Sequence, residues 1–275
     1  MRVGVLGLGR MGAPIARTLA GQHEVLGYDP VLRPGDPVTL ASSVEVLVTV
    51  LPGSAELDSL PSVLAALRPG SLWLDLTSGD PRVVRRLASA TQDILVVGAP
   101  MAGGPAAAER NLLSFHVGGA APAVERARPL LELLGTVDVV GDDPGDGYTA
   151  KLLSNLLWFG QVVAVTEALL LGRSLGLEPS TLRRTLAAGA GGSAFIDDYL
   201  DGLLAGDYAE TFGLDRVVEE LDTLASLARQ EGVPFELSEL VARLHREALA
   251  RFGAVDGELL AAKLLEERDG RPLHD

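Results

Sequence analysis

Lys151 and Asn155 stand four residues apart in "GYTAKLLSNLLWFG" (147–160), within a chain that holds 21 arginines and only two lysines. On a solvated face arginine serves as well as lysine. The exchange fails where a proton must move, because a guanidinium keeps its proton in a protein whereas a desolvated ammonium can release one. A spacing of i, i+4 puts both side chains on one helix face. Such a pair suits proton transfer in a redox step. Hydride delivery to a carbonyl makes an alkoxide that must receive a proton, and the reverse reaction needs a base. An amine in a partly apolar cleft between domains serves both directions near neutrality. Asn155 could donate to the substrate oxygen or fix the lysine head group. On spacing alone, a lysine that runs along apolar surface to reach water at a helix start is an equal reading.

A second constellation lies in "VGVLGLGRMGAPIA" (3–16), which contains Gly7-x-Gly9-x-x-Gly12. With 32 glycines in the chain the pattern alone is weak. Its context is what a dinucleotide site requires, with a strand leading in and a helix leading out. Gly7 permits the tight turn, Gly9 the close approach of a pyrophosphate, and Gly12 close packing of helix on strand. The segment Gly7, Leu8, Gly9, Arg10, Met11, Gly12 is therefore the expected cofactor-binding turn, its diphosphate at a helix N-terminus. Asp29 ends the second strand, where an acid meets the adenosine ribose. A carboxylate accepts hydrogen bonds from a 2′-hydroxyl and repels a 2′-phosphate, which favours NAD. Arg33 could neutralise that phosphate, so NADP stays possible.

The elements that must position these residues follow from patterning. "RVGVLGL", "HEVLGYD", "VEVLVTVLP", "SLWLDLTS", "DILVVGAPM", "LSFHVGG" and "VDVVG" read as short apolar strands, with helical segments such as "PRVVRRLASA" and "AVERARPLLELL" between them. That alternation predicts a doubly wound parallel sheet covered on both faces, an α/β Rossmann-type domain over 1–146. Beyond "GDDPGDG" (141–147) only helices are expected: 148–175, 179–188, 194–205, 213–231, 235–252 and 256–267. The second domain, 147–275, is thus all-α.

Four segments in this order, "GLGRMGAPIA", "GAPMAGGPAAAE", "GYTAKLLSN" and "FGLDRVVEELD", resemble the β-hydroxyacid dehydrogenases, the group that includes 3-hydroxyisobutyrate dehydrogenase. The resemblance covers essentially the whole chain. It implies NAD(P)-dependent interconversion of a small hydroxy acid and its semialdehyde or keto form. It also implies Lys151 as general acid/base, Asn155 as its assistant with substrate, and a homodimer or homotetramer through the helical domain. "LDLTSGDP" would put Thr77 near the nicotinamide, and "VTVLPGS" would put Leu51 and Pro52 along the cofactor. "APMAGGPAAAE" is similar to the substrate-anchoring loop, so the backbone amides of Ala102, Gly103 and Gly104 are expected to cradle a carboxylate. Two departures mark this chain: Ala102 replaces the family's usual serine, and Glu219 stands where lysine is common. Both keep open an imine reductase-like activity, and a dinucleotide-binding protein without catalysis is the reading from a different class.

A net charge of −14 argues against nucleic acid and anionic membrane surfaces as partners. Cysteine is absent, which excludes disulfides and thiolate chemistry and fits a reducing compartment. The first strand begins at residue 2 and leaves no room for a signal peptide, so a cytoplasmic enzyme is expected. The apolar stretch 152–172 carries Ser154, Asn155, Gln161, Thr166 and Glu167, and reads as a buried helix of a soluble protein. His23, His116, His245 and His274 lack ligand spacing, so no metal is expected and each is assigned to core or surface. The pair Glu219–Glu220 is read as solvated, and Lys263 is placed on an exposed face.

Overall fold

The computed structural model describes residues 1–91 and 93–274. They form two compact units, Met1–Leu152 and Leu153–Asp275. The first alternates strand and helix: β1 (Arg2–Leu6), α1 (Gly12–Ala20), β2 (Glu24–Tyr28), α2 (Pro37–Ser43), β3 (Val46–Thr49), α3 (Ser54–Leu57), α4 (Pro61–Ala65) and β4 (Leu72–Asp75). It continues with α5 (Pro81–Ala90), β5 (Leu95–Gly98), β6 (Met101–Ala102), α6 (Gly104–Arg110), β7 (Leu113–Gly118), α7 (Ala121–Glu132) and β8 (Gly135–Gly141).

The strands join in the order β2-β1-β3-β4-β5-β7-β6, and β8 pairs with β7. From β2 to β5 every pairing is parallel. Strands β3 and β4 are buried at every residue, as a parallel sheet covered on both faces demands. Ile15, Leu19, Ala107, Leu130 and Leu131 belong to one core cluster. Ala41, Leu64, Val84, Leu87 and Tyr148 belong to another that shares the sheet. The doubly wound architecture is therefore present, with one refinement. β7 runs antiparallel to β5 and β6, and β8 is parallel to β7. Between β5 and β7 the only helix is α6, whose seven residues are too short to carry the chain back across the sheet for a parallel crossover.

The long helix α8 (Pro144–Ser174) starts earlier than its sequence pattern suggests. Asp143 accepts from the Gly145 amide at 2.8 Å, so the acid- and glycine-rich linker supplies the first turn. Its opening turns belong to the first unit, held by the fully buried Tyr148. The two units consequently divide within α8 rather than ahead of it.

The second unit continues α8 and adds α9 (Pro179–Ala188), α10 (Ala194–Asp198), α11 (Leu200–Leu204), α12 (Leu214–Glu231), α13 (Glu236–Phe252) and α14 (Leu260–Asp269). By length and composition alone α8 could cross a membrane. Instead Phe159, Val162, Val163 and Leu169 pack in one core with Phe195, Leu221 and Ala242, and Thr166 hydrogen-bonds back to the Val162 carbonyl. Another face of α8 exposes Leu153, Leu157 and Leu171. Trp158 is edge-packed on Phe195 and Tyr199. Lys263 is not on an exposed face: its Nζ sits 5.1 Å above the Tyr208 ring and 5.4 Å above Phe252, where the rings' electron-rich faces stabilise the cation.

Candidate functional site

β1 lies between β2 and β3, so the chain departs to opposite sides of β1 at its carboxyl end. Such a switch point leaves a crevice between the loops, where an open α/β sheet binds its ligand. The loop after β1 is Gly7–Met11 and the loop after β3 starts at Val50. Gly7 has φ +97°, and a Cβ there would overlap the Val50 carbonyl oxygen. A Cβ on Gly12 would overlap the Gly7 carbonyl oxygen. A Cβ on Gly9 would meet nothing within 4 Å. The first and last glycines are thus required by protein packing, whereas Gly9 leaves an open approach to the start of α1. This cradle fits a pyrophosphate held by helix amides. Leu8 and Met11 pack partly against the sheet core, and Arg10 and Pro52 are exposed at the rim.

Asp29 fixes the turn from the β2 side. Its carboxylate accepts from the Leu8, Val31 and Leu32 amides, each at 2.9 Å. The amides of Leu32, then Leu8, then Val31 hold its pKa below the usual carboxylate range, so the group stays charged at working pH. Backbone hydrogen bonds join Asp29 and Arg33 in both directions, which folds Arg33 back beside Gly27.

At the ends of β3 and β4 a buried polar network joins Leu51 to Thr77. The Leu51 amide donates to Thr77 Oγ1 at 3.1 Å, and Thr77 Oγ1 donates to Asp75 Oδ1 at 2.7 Å. Thr49 Oγ1 donates to the same Asp75 oxygen, and Trp73 Nε1 donates to Thr49 Oγ1 at 2.9 Å. Asp75 is fully buried, and its Oδ2 has no hydrogen-bond partner among the described residues. Burial pushes its pKa up to about 7, against the pull of Thr49 and Thr77. The sequence marked Leu51 and Thr77 but not the acid that joins them, although an acid inside the apolar run "SLWLDLTS" was a visible signal.

The sign of the resulting pH effect is fixed. Below about pH 4 both folded and unfolded chains hold this proton; between about 4 and 7 only the folded chain does. Stability from this group therefore falls as pH rises through that window, by up to about 1.4 kcal/mol per unit. Asp75→Asn keeps one acceptor oxygen and removes the titration. Relative to this variant, the wild type should lose stability between about pH 5 and about pH 8 in urea unfolding; a constant difference would show that Asp75 does not titrate as described.

β6 brings the Ala102 turn beside β7, with Met101 opposite Phe115 and Ala102 opposite Ser114. The turn itself is left-handed at both glycines, Gly103 at φ +117° and Gly104 at φ +65°. β7 also carries His116, whose neighbours along the chain give it no ligand spacing. It is half-buried, and its Nδ1 is 3.9 Å from Asp138 Oδ2 on β8. Burial lowers the pKa of His116 first, the charge of Lys151 lowers it further, and Asp138 opposes both. Lys151, half-buried on α8, thus lies within electrostatic reach of β7.

Asn155, one turn further along α8, belongs to the second unit. Its Nδ2 donates to Glu220 Oε2 at 2.6 Å. This corrects the reading of Glu219–Glu220 as a solvated pair. Glu220 is buried, whereas Glu219 is partly exposed and ion-paired with Arg216 at 2.8 Å. Val217, Leu221 and Leu224 are buried on the same helix, so the 3.6-residue period of α12 already put Glu220 inward. His245 is a core residue, fully buried, with its pKa lowered to about 4 by burial. Among the described residues no cluster of three or more acids and histidines is arranged to hold a metal ion.

Comparison with known proteins accords with this geometry. Residues 2–141 match the family described as the NAD binding domain of 6-phosphogluconate dehydrogenase. Residues 145–265 match the one described as NAD-binding of NADP-dependent 3-hydroxyisobutyrate dehydrogenase. The chain is 27% identical to the NAD-dependent L-serine dehydrogenase of Pseudomonas aeruginosa, over 98% of this chain and 99% of that protein. It is similar to the solved structure of the 3-hydroxyisobutyrate dehydrogenase of Mycobacterium tuberculosis with L-serine, with a TM-score of 0.87 and 25% identity, covering 96% of this chain and 98% of the other. An imine reductase of Streptomyces aurantiacus shares the fold at a TM-score of 0.59 and 22% identity, over 96% and 99% of the two chains. With its glycine cradle, its Rossmann sheet and its helical second unit, the chain belongs to the β-hydroxyacid dehydrogenase family of NAD(P)-dependent oxidoreductases.

Proposed function

We propose that the protein interconverts a small β-hydroxy acid and its semialdehyde or keto form, with Lys151 as general acid/base. The observation that carries this reading is the half-buried residue Lys151, one of two lysines in the chain, whose charge acts on His116 of the strand that flanks the Ala102 turn. Bound cofactor supplies or accepts the hydride. The protein's own residues do the rest. Lys151 gives a proton to the nascent alkoxide during reduction and takes it from the hydroxyl during oxidation. Asn155, its amide tied by Glu220, assists at the substrate oxygen. The amides of Ala102, Gly103 and Gly104 hold the acid group. Gly7 to Gly12 with Leu51, Pro52 and Thr77 hold the dinucleotide.

Ala102 removes a hydroxyl donor worth about 1.5–3 kcal/mol toward a charged group, which favours a substrate held mainly by backbone. L-serine and 3-hydroxyisobutyrate, named for the relatives above, are the first probes. The test is a panel of NADH or NADPH with semialdehydes, 2-keto acids and cyclic imines, and of NAD or NADP with these two hydroxy acids. Turnover of an oxo or hydroxy acid is the expected result. Ala102 and Glu219 keep open a second reading, imine reduction, against which the retained Lys151 counts; turnover of the cyclic imines alone would establish it. Cofactor binding without any turnover would leave a non-catalytic dinucleotide-binding protein.

NAD is proposed over NADP, on the support of the ionised Asp29 carboxylate at the end of β2. Asp29→Asn keeps an acceptor for the turn amides and removes the charge that repels a 2′-phosphate. It should shift the NADH-to-NADPH activity ratio toward NADPH; an unchanged ratio would take Asp29 out of cofactor selection. Assembly as a homodimer or homotetramer through the helical unit is likewise proposed, supported by the exposed Leu153, Leu157 and Leu171 of α8. A cytoplasmic setting is proposed from the cysteine-free composition.

A further inference from the structure

We propose that His116 and Asp138 form a proton relay that reloads Lys151 from solvent, an inference that rests on the general acid/base role given to Lys151 above. Side chains alternate along a strand, so Ser114, His116 and Gly118 of β7 share one face. That face is the one on which α8 begins. A Cβ on Gly118 would overlap the Asp143 carbonyl and crowd the Gly147 amide, and one on Gly147 would overlap the His116 carbonyl. Lys151 follows Gly147 by one helical turn, on the same side of α8. From the other flank, β8 sets Asp138 directly opposite His116 in register. The Asp138 side chain is 74% exposed, against 23% for His116. The three residues therefore step from half-buried Lys151, through half-buried His116, to the exposed carboxylate of Asp138.

The charged groups around His116 are few. β5 and β6 carry no titratable side chain. Asp143 and Asp146, at the start of α8, are ion-paired with Arg85. Beside burial, which lowers the imidazole's pKa most, Lys151 and Asp138 are the charges that act on it. The coupling has a useful sign. While Lys151 is charged, it disfavours a proton on His116. Once Lys151 has given its proton away, that repulsion ends and His116 takes one up with the help of Asp138. In reduction, an N–H bond breaks at Lys151 and an O–H bond forms on the substrate. His116 then takes a proton from solvent and becomes the imidazolium; an N–H bond breaks on that imidazolium and forms at Lys151, directly or through one water, which returns His116 to its neutral form. Oxidation runs the same steps in reverse.

The test is histidine titration by NMR on the whole protein with labelled histidines, the His116 resonance being assigned by its absence in His116→Gln. Lys151→Met should move the His116 midpoint up, and Asp138→Asn should move it down. A His116 midpoint unmoved by Lys151→Met overturns the relay, whatever the activity. Turnover supplies the second readout, with whichever panel substrate is active. His116→Ala should lower kcat about tenfold, less than loss of the acid itself, and added imidazole should restore it. Loss that imidazole does not rescue would mean a structural role and also overturn the relay. Full activity in Lys151→Met would instead sink the general acid/base reading, a failure that the titration separates from this one.

Discussion

Lys151→Met should bind NADH with near wild-type affinity and turn over at least about a hundredfold more slowly, the usual minimum for removing a general acid. Methionine keeps the unbranched stem of lysine, so the half-buried position on α8 stays filled and the helix is not perturbed. What is lost is the titratable nitrogen. Lys151→Arg should be nearly as inactive, because guanidinium keeps the charge and cannot release the proton. Fluorescence titration with NADH and steady-state kinetics on the same preparations check both. Normal turnover in either variant removes Lys151 from the chemistry, and loss of NADH affinity in both would make it a cofactor-binding residue.

Gly12→Val should be the most damaging single change to cofactor binding. The β-carbon alone overlaps the Gly7 carbonyl, and Val50 stands beside it, so α1 must move away from β1. Overpacking of this kind costs about 1–3 kcal/mol, and more where the obstacle is backbone. The displacement also carries the helix amides away from the diphosphate. Loss of NADH affinity by at least about a hundredfold, about 2.7 kcal/mol, is expected together with a lower Tm. Gly9→Ala is the control. Its β-carbon meets no protein atom, so Tm should hold while NADH binding weakens. If Gly9→Ala lowered Tm as much as Gly12→Val, the glycines would be serving the fold and not the ligand.

Much of the fold was legible because its periodicities are strong. Seven short apolar runs became strands, and "PRVVRRLASA" is the helix α5 residue for residue. The reversal at β7 was not legible, since a strand's direction depends on how far the preceding connection can travel and not on its own residues. The glycine turn and the Lys151–Asn155 spacing were read directly, because local sequence fixes both. Groups that depend on contacts distant in sequence were missed or undervalued. Asp75 matters through Thr49, 26 residues away, and Asn155 finds Glu220 across 65 residues. His116 shows no ligand spacing along the chain. Its partners come from a neighbouring strand and a later helix, and no spacing rule within one segment can reveal them.

The protein contains two tryptophans, and the fold assigns one to each unit. Trp73 is fully buried in the sheet and hydrogen-bonded to Thr49; Trp158 lies among aromatic rings on the helical side. Each half of the molecule thus has its own built-in optical probe. Trp73→Phe and Trp158→Phe proteins would let the melting of sheet and bundle be followed one at a time, without any label.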